Sequence, residues 1–190
     1  MTKDDIITLP NKHLRSESEQ VNEITEQILQ VVEDMKLATV NWDESREHEI
    51  GVALAAIQID RAYRIIIVRS DLNNKEDMSF NVYINTEVVK LYGNIVEDYE
   101  GCLSVPDVYG KVPRYSKVKI KATNLEGQAV ILNASGFLAR IFQHEIDHTN
   151  GILFIDKIKE SSEAFYRLSD EGHLDKLDYE KDVQENNILW

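Results

Sequence analysis

Cysteine is all but missing from this chain: its 190 residues include one, Cys102. No disulfide can form within the chain, and a reducing cytoplasm is the expected compartment. Proline numbers three and glycine eight, and no Pro/Gly-rich linker, internal repeat or low-complexity tract interrupts the sequence. Long hydrophobic runs are missing too. The longest aliphatic run, Ile65-Ile66-Ile67-Val68, is strand-sized and far short of a membrane span. Positive charge is in deficit, with 21 Lys and Arg against 34 Asp and Glu and a net charge of −13. That balance excludes modes of binding that neutralise phosphates and disfavours anionic membranes, so neither nucleic acid nor membrane is an expected direct partner. The opening Met1-Thr2-Lys3-Asp4-Asp5 lacks the charged-then-apolar layout of a signal peptide. What is present is an ordinary globular composition, 43% apolar and 29% charged. One domain of this length buries about 70% of its unfolded surface.

Local patterns suggest helices at two places. Ser16 followed by Glu19 fits a capping box, and Ile24, Ile28, Val31 or Val32, and Met35 then recur at helical spacing. A polar loop is expected over residues 41–50. Strands are expected over 63–69 and 80–85, and over 117–123, where Val118, Ile120 and Ala122 alternate with Lys117, Lys119 and Lys121. Glu126-Gly127 signals a turn into a returning strand at 129–132. A second helix is expected from about Gly136 to Asn150, capped by Asn133 or Ser135 and stopped by Gly151. These elements predict an α+β fold, with antiparallel sheets packed around a central helix. A catalytic domain over 1–159 is expected, followed by an acidic extension over 160–190 that is either packed on the body or solvated. That extension carries nine acidic and three basic residues and ends in Ile188-Leu189-Trp190.

The strongest chemical signal is His144-Glu145-Ile146-Asp147-His148 on the second helix. Histidines at i and i+4 lie on one helical face, so both can reach one metal ion. Phe137, Ile141, His144 and His148 form one stripe, which places both imidazoles on the expected core-facing side. Asp147 and Asp156 are candidate acceptors for an imidazole N–H. Cys102, in Glu100-Gly101-Cys102-Leu103-Ser104-Val105-Pro106, is the candidate third ligand. A buried structural cysteine and a nucleophile paired with His are its other readings. A thiolate with two imidazoles leaves a fourth position open, the catalytic arrangement. Gly51-Val52-Ala53-Leu54-Ala55-Ala56-Ile57-Gln58 offers small residues for close approach and a side-chain amide at its end.

In their order and spacing these three segments closely resemble the signature motifs of the peptide deformylase family, with similarity running from residues 11–15 through Asp156. The resemblance implies removal of the formyl group from N-formylmethionyl nascent peptides. It implies Cys102, His144 and His148 as ligands of one divalent metal per chain, natively iron(II), replaceable by nickel, cobalt or zinc. In the expected mechanism metal-activated water attacks the formyl carbon, with Glu145 as general base. The oxyanion is stabilised by the metal, the Gln58 amide and the Leu103 N–H. Gly51, Val52, Ala53, Glu100, Gly101, Phe137 and Ile141 are the expected substrate contacts. Departures from the family pattern are Ala53 in place of Gly, Ile57 in place of Pro or Thr, and Tyr109 where some members carry a peptide-contacting Arg; Arg140 fits a pattern seen in many members. Two rival readings are a zincin-type metallopeptidase, which places its third ligand elsewhere, and a non-catalytic homologue that binds formyl-peptides or metal. Some family members are thought to dock on the ribosome through a basic C-terminal helix; a tail with a net charge of −6 is unsuited to that.

Overall fold

Thr25, not Ser16, opens the first long helix, α1 (Glu26–Glu44), and its side chain accepts a hydrogen bond from the Ile28 amide. Ser16 instead closes a short 3₁₀ turn, Lys12–Arg15, its N–H donating to the His13 carbonyl, and no helix starts there. In this computed structural model, which describes residues 1–186, 188 and 189, α1 also runs through the first four residues of the expected 41–50 loop. It does so because Trp42 and Asp43 continue the buried face begun by Ile28, Val31, Val32, Met35 and Ala38.

Among the described residues seven strands follow, all antiparallel: β1 (Ala53–Ala55), β2 (Ile65–Arg69), β3 (Phe80–Cys102), β4 (Val105–Thr123), β5 (Ala129–Ser135), β6 (Phe165–Leu168) and β7 (Leu174–Lys176). They are hydrogen-bonded in the order β1-β2-β3-β4-β6-β7, with β5 pairing along Lys117–Thr123 of β4 while β6 pairs along Val108–Gly110. The strands expected at 80–85 and 117–123 are the outer ends of one very long hairpin. Register shifts after Ile84, Val88, Tyr92 and Gly101 bend this hairpin. Bending lets its two ends serve different faces of the molecule, so one hydrogen-bonded sheet does the work expected of several.

The second helix, α2 (Gly136–Thr149), starts from Ser135 and stops before Gly151, which adopts φ 71°. It is buried on nearly every side: Phe142 and Ile146 face β4 and β5 partners such as Val118, Ile120 and Ala134, while Ile141, His144 and His148 are also buried. The stripe begun at Phe137 is therefore not wholly a core face, since Phe137 itself is 53% exposed. A short helix, α3 (Phe154–Ile158), packs behind β4. Beyond it β6 pairs with β4, and Phe165 is fully buried in a cluster with Leu153, Phe154 and Val183. Ile188 and Leu189 pack against the same cluster, while Trp190 lies outside the described residues. Among the described residues no helix is long and apolar enough to cross a membrane.

Candidate metal centre and active site

Helical spacing brings the two histidines together from one element, and the end of β3 brings Cys102 to them from another. The Cys102 Sγ lies 3.3 Å from His148 Nε2, and the two Nε2 atoms lie 3.1 Å apart. All three donor atoms fall within 4.8 Å of one another, and His144 and His148 are almost completely buried. His144 Nδ1 sits 2.9 Å from Glu100, so with its proton given to that carboxylate its Nε2 lone pair faces Cys102 and His148.

Glu100 thus holds the ring, in place of the expected Asp147 or Asp156. Those two aspartates are engaged elsewhere, by Arg114 and Lys157 and by Arg15 respectively. Glu100 also accepts from Arg114 at 2.9 and 3.0 Å and from Arg140 at 2.7 Å. Burial alone would raise its pKa, but the hydrogen bonds and charges of His144 and Arg114 hold it well below the usual carboxylate range. Although Glu100 lies along the cleft, its carboxylate is occupied by these three partners.

Electrostatics fit a cation here. Burial works against charge on His144, yet Cys102 and Glu100 raise its pKa well above the ordinary imidazole value. Burial, followed by the charge of His144, pushes His148 well below it, into the neutral ligating form. Positive charge is favoured beside Cys102 and Glu100, and a divalent ion held by one sulfur and two nitrogens would supply it. Glu145 completes the centre. Its Oε2 is buried without a hydrogen-bond partner among the described residues, and burial pushes its pKa up to about 7.

The triad opens into a cleft of about 290 Å³. Gln58, in a 3₁₀ turn after β1, accepts from the Ala55 amide at 2.9 Å and turns its NH₂ toward Ser104 Oγ (3.1 Å) and Cys102 Sγ (3.5 Å). Leu103 lies between β3 and β4 beside Cys102. Val52, Ala53, Gly101, Phe137 and Ile141 line the cleft as well. A Cβ on Gly101 would come within 2.7 Å of the Tyr109 ring, which explains glycine at that position. The methyl group of Ala53 is 5% exposed and joins the core cluster that contains Ile57 and Ile66. Gly51 stands just behind this wall, its amide held by Asp43 at 2.6 Å.

Three contributors had no signal in local spacing. Trp42 and Glu49 line the cleft, and Arg114 fixes Glu100 from β4. Tyr109 donates its hydroxyl to Glu49. Arg140 reaches from α2 to Glu100 and to the Val96 and Val112 carbonyls, tying the helix to both long strands.

Comparison with known proteins agrees with this geometry. The family model described as polypeptide deformylase matches residues 3–164, a span that includes all three ligand positions. A peptide deformylase from Acinetobacter baumannii (strain SDF) is 42% identical over 151 residues, covering 80% of each chain. One from Halothermothrix orenii is 44% identical over 145 residues, 76% of this chain and 86% of that protein. Among solved structures, the Synechococcus elongatus peptide deformylase in complex with actinonin aligns with a TM-score of 0.71 at 32% identity, over 80% of this chain and 78% of that one. With its motif helix, its sulfur and its two imidazoles in one cleft, and with relatives at these identities over most of its length, the chain belongs to the peptide deformylase family.

Proposed function

We infer that the protein is a metal-dependent hydrolase that removes the N-formyl group from the N-terminal methionine of newly made proteins and releases formate. The observation that carries this reading is the buried Glu145 carboxylate, whose Oε2 has no hydrogen-bond partner among the described residues, beside a sulfur-and-two-imidazole donor set within a chain of this family. Cys102, His144 and His148 would hold the ion. When bound, it supplies a Lewis acid that polarises a carbonyl and lowers the pKa of water. Glu145, with a pKa near 7, takes a proton from the attacking water and passes it to the leaving amine. The Gln58 amide and the Leu103 N–H donate to the formyl oxygen as charge develops, and losing one such donor costs about 10²–10³ in rate. Val52, Phe137, Ile141 and the His144 ring receive the methionine side chain, an unbranched thioether suited to an apolar slot. Gly51, Ala53 and Gly101 allow the peptide backbone a close approach, while Glu100 acts through His144.

Iron(II) is the native ion in this reading, with nickel, cobalt or zinc as substitutes, since imidazole and thiolate donors accept all four. The acidic C-terminus does not anchor to ribosomal RNA, because its charge of −6 opposes phosphate. The metallopeptidase alternative needs a third ligand away from Cys102. Among the described residues, the one cluster of metal-ligating atoms is Cys102, His144 and His148. The test is formate release from formyl-Met-Ala-Ser by anaerobically purified protein, with metal analysis on the same sample. Formate in proportion to bound metal is expected. Metal-loaded protein that cleaves peptide bonds or releases no formate would overturn the reading.

A further inference from the structure

Three residues that line the cleft, His48, Tyr99 and Tyr109, come from three separate elements, and the hairpin of β6 and β7 meets all of them from outside. That hairpin begins at Phe165, just past residue 164 where the match to the family model ends, and none of its described residues lines the cleft itself. Tyr166 of β6 pairs with Tyr109 of β4 and sets its ring edge-on to Tyr99 of β3, with ring centres 5.0 Å apart. In the turn that follows, the Ser169 N–H donates to the His173 carbonyl at 2.8 Å and the Gly172 N–H to the Ser169 carbonyl at 3.0 Å. The Asp170 carbonyl of this turn lies 3.2 Å from His48 Nε2. A carbonyl only accepts, so Nε2 carries the proton. Gly172 faces the same ring: it adopts φ 81°, and a Cβ there would stand 3.3 Å from the imidazole.

The contact at His48 matters because the segment between α1 and β1 has little else to hold it. Among the described residues, Glu47 to Ile50 make no backbone–backbone hydrogen bond. Side chains fix the stretch instead, through Arg46 with Asp107, Glu49 with Tyr109, and Asp43 with the Gly51 amide. A stretch with so few backbone bonds opens at low free energy. His48, Glu49 and Ile50 all line the cleft, so the shape of that wall depends on how firmly the stretch is held. The metal-ligating side chains stand on α2 and at the end of β3, which the hairpin turn does not touch.

We propose that His48 is a positioning residue, through which the β6–β7 hairpin holds the α1–β1 segment against the cleft and so sets how tightly a formylated peptide is bound. The proposal rests on the deformylase reading and gives a role in it to a part of the chain outside the family match. The hairpin reaches the wall and not the ligand triad, so its effect falls on KM and leaves kcat in place. One hydrogen bond from an exposed imidazole to a backbone carbonyl corresponds to about a threefold change in KM.

The test measures kcat and KM for formate release from formyl-Met-Ala-Ser by the metal-loaded protein and by four variants of it. His48→Ala should raise KM about threefold with kcat nearly unchanged, the size expected for one such bond. His48→Gln, whose amide can donate to the Asp170 carbonyl, should recover most of that loss. Gly172→Ala strains the turn and crowds the ring from the other side, so it should raise KM as well. Combined with His48→Ala it should add little, because the link is already cut. An unchanged KM in His48→Ala, a fall in kcat in its place, no recovery with glutamine, or additive effects in the double variant would each overturn the proposal and leave the deformylase reading standing. No formate from the unaltered, metal-loaded protein would overturn both. Should Gly172→Ala fold poorly, the two His48 variants decide the question by themselves.

Discussion

Beneath the Cys102–His144–His148 triad one carboxylate, Glu100, faces two guanidinium groups and an imidazole, whereas at the start of β1 one guanidinium, Arg69, faces a single carboxylate and a row of backbone carbonyls. Both networks are buried, with Arg69 and Asp43 at 1% and 4% exposure. They differ in what they hold. Glu100 fixes side chains: His144, and through Arg140 and Arg114 the relation of α2 to β3 and β4. The Arg69–Asp43 pair fixes backbone. Arg69 donates to the carbonyls of Gly51, Lys75 and Asp77, while Asp43 takes the Gly51 amide and pairs with Arg69. Gly51 is thus gripped at both its N–H and its C=O, and a Cβ there would meet Thr39 at 2.7 Å. A buried charge is tolerated in either setting because its hydrogen-bonding capacity is filled. The lesson is that one cleft uses one such device to aim ligands and another to shape the edge along which a peptide would lie.

Breaking the first device should have the largest effect. Glu100→Ala removes the carboxylate shared by two buried arginines and releases the His144 ring, so we expect a loss of about 3–5 kcal/mol in denaturant unfolding together with reduced metal content. Retention of full metal occupancy would show that His144 needs no support from Glu100. Glu145→Gln sharpens the contrast, because Glu145 adjoins the triad yet belongs to neither network. Its kcat should fall on the order of 10²-fold or more, with metal content and thermal unfolding nearly unchanged. If metal is lost with activity, Glu145 is a ligand or a structural support instead of a base.

Disturbing the second device is a smaller matter. Asp43→Asn keeps an oxygen for the Gly51 amide and removes the charge opposite Arg69, for an expected cost of about 1–3 kcal/mol. Because the disturbed backbone borders the cleft and not the ion, KM should rise more than kcat falls; a change in kcat alone would dissolve the distinction drawn between the networks. The smallest effect is expected at the C-terminus. Truncation after Gln184 removes the partly buried Ile188 and Leu189 and should cost about 1 kcal/mol, judged by apolar area. Co-sedimentation with ribosomes should not change, and salt-sensitive co-sedimentation abolished by the truncation would overturn the view of this tail.

The same contrast governs how far the site could be read in advance. His144 and His148 share a helix, Ser135 and Gly151 bound it, and those relations are local enough to be visible in spacing. Glu100 and His144 are 44 residues apart, and only the pairing of β3 with β4 and the docking of α2 bring them together. Asp147 and Asp156 looked equally suitable as acceptors because proximity in sequence carries no information about which arginine is near. The long hairpin was hidden for a related reason. Its middle part exposes Val89, Leu91, Ile95 and Val96, so the alternation that marks a half-buried strand fades there. Lys117–Thr123, by contrast, packs Val118 and Ile120 on the core and reads plainly.

By itself, then, the sequence determined the helix that carries two imidazoles, the identity of the sulfur, and the position of a carboxylate between the histidines, because helical periodicity and residue chemistry act over a few positions. Tertiary structure alone decided which acid orients His144, how Asp43 and Arg69 grip Gly51, and that the C-terminal segment adds β6 and β7 to the sheet. Those outcomes depend on burial and on charges meeting across long chain separations, where the cost of leaving a buried donor or acceptor unpaired selects the partner.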